Sequence, residues 1–291
     1  MPVIIDDATK VLVQGITGHQ GAFHSGAMLE FGTKVVAGVV PGRGGVKVNG
    51  IRVFDAVSQA VKQTGADASV VFVPSRHAKN AVIEALDAGV RTVVVITEHI
   101  PLHDSVLMLQ YAKLKGARVL GPNCPGLASP SRGKLGIMPN MIFRKGSTGV
   151  VSRSGTLTYE IVNELSEAEI GQSTCVGVGG DPIIGTDFVD ALALFEEDPE
   201  TDSIVLVGEI GGTAEEEAAE YISKKVSKPV VAYITGRTAP PGKKMGHAGA
   251  IIARGKGTAG SKVTALLDAG VEVAKIPAEV PILLRVAMRK S

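Results

Sequence analysis

Two consecutive α/β units, each a parallel sheet covered by helices, follow from three features of this sequence. Short β-branched runs alternate with longer segments whose apolar residues recur at three- and four-residue spacing. Several of the runs are almost wholly apolar, as strands covered on both faces must be. Many of the 36 glycines fall directly after valine-rich runs, where parallel-sheet proteins place ligand-binding turns.

In the first unit the strand candidates are Lys10–Gln14, 35–40, 68–73, 92–96 and Arg118–Leu120. Between them lie helix-like segments such as 76–88 and Leu102–Lys115. Strand and helix alternating in this way predict a doubly wound sheet. Residues 127–146, rich in Gly, Pro, Ser and Asn and without clear periodicity, read as a linker between a first domain at 1–126 and a second at 147–291. The second series has strand candidates at 149–152, 173–178, 203–209, 229–234 and 271–275, with helices at 157–169, 187–196, Ala214–Lys225 and 263–269. That is a further parallel three-layer unit, in the flavodoxin-like style.

Composition narrows the classes. A chain of 291 residues, 45% hydrophobic and 20% charged, is long enough for two domains and can bury full cores. Its net charge of +1 argues against a nucleic-acid tail or a membrane-surface patch, and 4% aromatics with no Trp argue against base-stacking platforms. Cys124 and Cys175 form no CxxC pair, which suits a reducing compartment and supplies no metal or disulfide framework. No apolar run reaches the ~18 residues of a membrane span, and no targeting segment is apparent, so the expected location is the cytoplasm.

The first turn, Gln14-Gly15-Ile16-Thr17-Gly18-His19-Gln20-Gly21, follows a strand and opens a helix. Its glycines let backbone amides face a pyrophosphate. A site for NAD wants an acid about 20 residues further on, but the second strand ends Val40-Pro41-Gly42-Arg43-Gly44-Gly45. Arg43 suits a phosphate instead, either the 2′-phosphate of NADP or the 3′-phosphate of coenzyme A. Three more strand ends finish in polar clusters: Val73-Pro74-Ser75-Arg76, Thr97-Glu98-His99-Ile100-Pro101 and Gly121-Pro122-Asn123-Cys124-Pro125-Gly126. All are expected on the carboxyl edge of the sheet, where ligands bind in this architecture.

In the second unit, Ser152-Arg153-Ser154-Gly155-Thr156 is the first strand-to-helix turn, where Ser154 or Thr156 caps a helix whose free amides attract an anion. Glu209, at a strand end among glycines, is placed to accept a hydrogen bond from a histidine ring and leave its other nitrogen nucleophilic. Glu215-Glu216-Glu217 reads as a solvated first helical turn, and Glu196-Glu197-Asp198-Pro199-Glu200 as a solvated helix end. The candidate nucleophile is His247, in Gly246-His247-Ala248-Gly249-Ala250, where neighbours with almost no side chain leave it open to a large group. Cationic residues in the flanking glycine-rich runs favour an incoming anion. A nucleotide P-loop is missing: Gly236 to Gly242-Lys243 has one residue too many and lacks the following Ser or Thr. This chain alone is therefore not expected to hold ATP.

These segments, in this order and over essentially the whole length, resemble the α subunits of the succinyl-CoA synthetases (succinate–CoA ligases). The resemblance implies a Rossmann-like coenzyme A domain followed by a flavodoxin-like ligase domain. It implies that Thr17, Gly18, His19, Gln20, Arg43, Ile96, Thr97, Glu98 and Asn123 hold coenzyme A. It casts His247 as the phosphorylated residue and Glu209 as the carboxylate that orients it. Ser154, Gly155 and Thr156 become the phosphate-holding helix start, and Tyr159 a residue near the carboxylate substrate. His19 and Arg43 depart from the family, which often has Ser and Lys there. A β subunit with an ATP-grasp domain, carrying ATP/ADP or GTP/GDP and Mg²⁺, is the implied partner, and no metal ligand is expected in this chain. The implied reaction is reversible, from succinyl-CoA, phosphate and NDP to succinate, CoA and NTP through succinyl phosphate and phosphohistidine. The alternatives are an NDP-forming acyl-CoA ligase for another short acid, or a CoA- or nucleotide-binding sensor without turnover. The Glu209–His247 pair argues against the sensor, which needs neither, and an oxidoreductase using NADP lacks a hydride-acceptor site in the second half.

Overall fold

The computed structural model describes residues 3–239, 246–252 and 257–290. The chain forms two compact units. One holds Ile4–Asn140 and Ile183–Thr186; the other holds Met141–Pro182 and Asp187–Ser291 with the N-terminal three residues.

The first unit runs β1 (Lys10–Gln14), α1 (His19–Glu30), β2 (Lys34–Val39), β3 (Lys47–Val48), β4 (Ile51–Phe54), α2 (Val57–Thr64), β5 (Ala68–Val71), α3 (Ser75–Asp87), β6 (Thr92–Val95), α4 (Leu102–Lys115) and β7 (Arg118–Leu120). The strands lie in the order β3-β4-β2-β1-β5-β6-β7. Pairing is parallel except for the antiparallel β3–β4 edge. Valine and alanine dominate because both faces are covered: Leu12, Val71, Val93 and Val95 pack with Ala78, Val82 and Met108 of the helices in one buried cluster. The order reverses at β1, whose neighbours are β2 and β5, so the turns after these strands open together into a crevice. The short β3–β4 edge and α2 lie in a stretch that the periodic pattern left undivided.

The stretch expected to be an aperiodic linker is instead structured. It carries an antiparallel hairpin, β8 (Gly126–Ser129) and β9 (Gly133–Gly136), with Gly126 opposite Gly136. The composition suggested a loop, yet both strands are buried. Thr33 Oγ1 donates to the Lys134 carbonyl and accepts the Lys134 N–H, both at 2.8 Å, fixing the hairpin to the first unit. Lys134 is itself buried, its ammonium donating to the Met138 carbonyl at 2.7 Å and Asn140 Oδ1 at 2.6 Å. Burial pushes this ammonium down to about 8, against the pull of Glu30.

The second unit runs β10 (Lys145–Ser152), α5 (Gly155–Glu167), β11 (Gln172–Gly177), α6 (Phe188–Glu197), β12 (Ser203–Gly208), α7 (Ala214–Lys225), β13 (Val230–Ile234), α8 (Ala259–Asp268), β14 (Glu272–Ala274) and α9 (Val280–Lys290). Its strands are parallel in the order β14-β13-β12-β10-β11. The helix end expected to be solvated at 196–200 is a correction at one residue. Asp198 is buried, because its carboxylate accepts the Thr201 hydroxyl at 2.7 Å and closes the turn into β12. Among the described residues no helix is long and apolar enough to cross a membrane.

Candidate active site

The carboxyl ends of β1, β2, β5, β6 and β7 lie on one edge of the first unit's sheet. At the first of them Gly15 has φ +84°, a conformation that favours glycine, and its carbonyl accepts the Gly18 N–H at 3.0 Å. A Cβ on Gly21 would stand 2.3 Å from that same carbonyl oxygen, so this glycine lets α1 start directly over the turn. A cavity of about 620 Å³ opens beside it, lined by Gly15, Thr17, Gly18, Pro41 and Val73 together with His77 and Glu84 of α3. The contribution of α3 escaped the sequence reading, which looked only at strand ends.

Of the nine residues expected at this edge, Thr17 and Gly18 line the cavity. His19 and Gln20 are exposed in the first turn of α1, and Arg43 is exposed on the turn after β2, where its N–H bonds the Val40 carbonyl at 3.1 Å. Thr97 Oγ1 donates to the Val73 carbonyl at 2.7 Å, and the Asn123 N–H donates to the Thr97 carbonyl at 3.0 Å. The ends of β5, β6 and β7 are thereby tied together, with Ile96 half-buried and Glu98 exposed beside them.

In the second unit the strand ends carry a different chemistry. Ser154 caps α5, its hydroxyl accepting the Leu157 N–H at 3.4 Å. Gly155 and Thr156 begin the helix, so its unpaired amides and dipole favour an anion. Tyr159 is half-buried on the same helix. At the end of β12 stands Glu209, only 5% exposed. His247 Nδ1 lies 2.9 Å from both carboxylate oxygens of Glu209. An ionised carboxylate only accepts, so Nδ1 carries the proton and the Nε2 lone pair is free in the neutral ring. The hydrogen bond His247 donates to Glu209 raises its pKa above the ordinary 6.5, with burial and Arg153 opposing and Asp181 adding.

Gly180, after β11, seats the ring. A Cβ there would stand 2.4–2.8 Å from three imidazole atoms. The Gly180 carbonyl also accepts the Gly249 N–H at 3.2 Å, holding the histidine loop. Gly180→Ala is expected to break the Nδ1 bond, so the His247 titration followed by NMR should move below that of the unchanged protein while thermal unfolding stays in place.

The glutamate triplet after β12 is a correction. Glu215 is fully buried, Glu216 half-buried, and only Glu217 exposed. The first turn of α7 faces inward, and two buried cations meet Glu215 there: Arg153 Nη1 at 3.4 Å and the ammonium of Lys262. Leaving either cation unpaired would cost roughly 3–5 kcal/mol. Neither Arg153 nor Lys262 was singled out from sequence. The signal was present for Lys262, which shares a three- and four-residue spacing with the buried Ala259 and Leu266. The cationic residues Lys243, Lys244, Arg254 and Lys256 lie outside the described residues. Arg237 donates to the Ala274 carbonyl at 2.8 Å.

Residues 6–99 match the CoA binding domain family and residues 151–272 the CoA-ligase family. The succinate–CoA ligase [ADP-forming] subunit alpha 2 of Archaeoglobus fulgidus is 59% identical over 280 residues, covering 96% of this chain and 97% of that one. The corresponding α subunit of Staphylococcus epidermidis is 54% identical over 291 residues, covering 100% and 96%. Among solved structures, ATP citrate lyase from Methanothrix soehngenii, in complex with citrate and coenzyme A, superposes with a TM-score of 0.89 at 28% identity. The superposition covers 99% of this chain and 51% of that chain, so this chain spans about half the length of the lyase.

Proposed function

The chain belongs to the α subunits of the succinate–CoA ligases, and from that membership we propose that His247 is its phosphoryl carrier and Glu209 the carboxylate that orients it. It is an acid–thiol ligase whose substrates are coenzyme A and succinate, and an α subunit implies a β partner. The observation that carries the proposal is the hold of both Glu209 oxygens on Nδ1, which leaves Nε2 as the nucleophile of a ring whose side chain is 28% exposed.

In the direction of nucleotide synthesis, phosphate attacks the thioester carbonyl of succinyl-CoA, giving succinyl phosphate and releasing the thiol. Nε2 of His247 then attacks phosphorus, the P–O bond to the acyl group breaks, and succinate leaves. The phosphorylated imidazole, with its Nδ1 proton held by Glu209, is a good leaving group and passes the phosphoryl group to NDP. Ser154, Gly155 and Thr156 offer the amides of a helix start to the transferring phosphate, a contribution of typically ~0.3–1 kcal/mol and up to ~2 where partly buried. Tyr159 borders the acid. The β subunit supplies an ATP-grasp domain with Mg²⁺ and the nucleotide, ADP or GDP.

Coenzyme A occupies the cavity on the carboxyl edge of the first unit. Thr17, Gly18, His19 and Gln20 offer the turn and helix start to its pyrophosphate. Arg43 meets the 3′-phosphate, and Ile96, Thr97, Glu98 and Asn123 border the rest. Arg43→Ala is expected to weaken CoA about 10- to 100-fold, as loss of a charged hydrogen bond does. Calorimetry should show a clearly smaller loss for 3′-dephospho-CoA; equal losses would mean that Arg43 does not meet that phosphate.

The test of the function is succinyl-CoA formation by the chain co-purified with its β subunit, with ATP and GTP supplied in turn. Turnover with succinate supports the proposal and identifies the nucleotide. A preference for another short acid would make this a related acyl-CoA ligase. No turnover with any acid, with CoA still bound, would leave a binding module.

A further inference from the structure

We propose that Glu215, acting with Lys262 and Arg153, is the positioning residue that aims the Glu209 carboxylate at His247. This rests on the phosphohistidine reading above and adds a group that touches no substrate.

Three facts place Glu215 in that role. Its Oε1 accepts the backbone N–H of Glu209 at 3.1 Å, fixing the main chain from which the orienting carboxylate projects. The same oxygen lies 3.4 Å from Arg153 Nη1, while Arg153 Nε lies 3.7 Å from Glu209 Oε1. One carboxylate oxygen therefore ties the Glu209 backbone to the guanidinium that faces the Glu209 side chain. The other oxygen, Oε2, is held by the Lys262 ammonium, which also donates to the Gly212 carbonyl at 3.1 Å and Glu216 Oε2 at 2.9 Å. Arg153 Nη1 is anchored further by the Gly211 carbonyl at 3.1 Å.

Every member of this frame comes from a different element: Arg153 from the end of β10, Glu209 from the end of β12, Glu215 from α7 and Lys262 from α8. Glu215 and Lys262 are both fully buried. Stability alone does not call for such a pair, since well-packed apolar residues commonly serve as well or better. Fixed direction does call for it, because a carboxylate held through both oxygens cannot rotate.

The charges give the frame a second effect. Among the described residues, the charged groups that act on His247 are Glu209 after β12, Asp181 after β11 and Arg153 at the end of β10. Arg153 opposes a proton on the imidazole, and Glu215 opposes Arg153. With Glu215 neutral, the guanidinium turns toward Glu209 and competes with Nδ1–H for the same oxygens. The imidazole then loses its proton at lower pH and its orientation loosens.

The experiment follows phosphorylation of His247 as a function of pH in the chain co-purified with its β subunit. Glu215→Gln keeps the shape and removes the charge. It is expected to lower the rate about 10- to 100-fold, the effect of a small misplacement near the reacting atoms. The acid limb of its rate–pH profile should move to lower pH, with KM for CoA unchanged. Lys262→Met frees the second carboxylate oxygen of Glu215 and should lower the rate, and Lys262→Arg should recover rate relative to Lys262→Met. The double variant Glu215→Gln/Lys262→Met removes the buried Glu215–Lys262 pair as a whole and leaves Arg153 its bond to the Gly211 carbonyl and the facing Glu209 carboxylate; it should show the same displaced limb. A limb that coincides with that of the unchanged protein in all folded variants overturns the proposal, whatever their amplitude. If the unchanged complex turns over but carries no phosphate on His247, the phosphohistidine reading falls first and this one with it.

Discussion

His247→Ala is expected to reduce succinyl-CoA formation by ~10⁴-fold or more, because under the proposal above it removes the group that takes the phosphoryl. Among the described residues, the charged groups that act on His247 are Glu209, Arg153 and Asp181, and none offers a neutral nitrogen to phosphorus. CoA affinity should be unchanged, since the cavity beside Gly15 belongs to the other unit. The check is a coupled assay alongside calorimetry with CoA. Residual ligation within about tenfold of the unchanged enzyme would remove His247 from the reaction.

Glu209→Gln is the second large effect, expected at ~10²–10⁴-fold in the rate of phosphorylation, by analogy with other histidines that lose an orienting carboxylate. An amide can present its N–H₂ to Nδ1 as readily as its carbonyl, so the tautomer is no longer fixed. The pH dependence changes as well, with a defined sign. The hydrogen bond that His247 donates to Glu209 is the first cause that raises its pKa above 6.5. Attack needs the deprotonated Nε2, so the unchanged enzyme's rate should rise with pH through a midpoint above that value. In the variant the main raising cause is gone, while burial and Arg153 still lower the pKa, so the midpoint should fall. Rate measured from pH 5 to 9 in both proteins checks this, and a midpoint that stays in place would mean that Glu209 does not govern the proton on His247.

The fold was legible wherever apolar periodicity was strong. Lys10–Gln14, Arg118–Leu120 and Ala214–Lys225 coincide with β1, β7 and α7. The hairpin at 126–136 was not, because its glycines, its serines and Pro130 read as loop, while its burial depends on Thr33, more than a hundred residues away. At the histidine site, Glu209 could be read from its place among glycines after a strand. Glu215 was missed because three consecutive acids at a helix start suggest solvent. Yet Glu215, Ala218, Ala219 and Ile222 share one buried stripe at three- and four-residue spacing, which marks the first acid as the inward one. Arg153 carried no local signal, since its partners Gly211 and Glu215 lie 58 and 62 residues away. Folding alone brings them together.

The central claim is that this chain carries the phosphoryl group on His247. Its most direct test is transfer of label from γ-labelled ATP and GTP to the chain, with and without the β subunit, followed by mapping of acid-labile, base-stable phosphate. Label on His247 that forms with the partner and is discharged by succinate plus CoA is the predicted result. Label on another residue, or turnover with no labelled chain at any time, would contradict it.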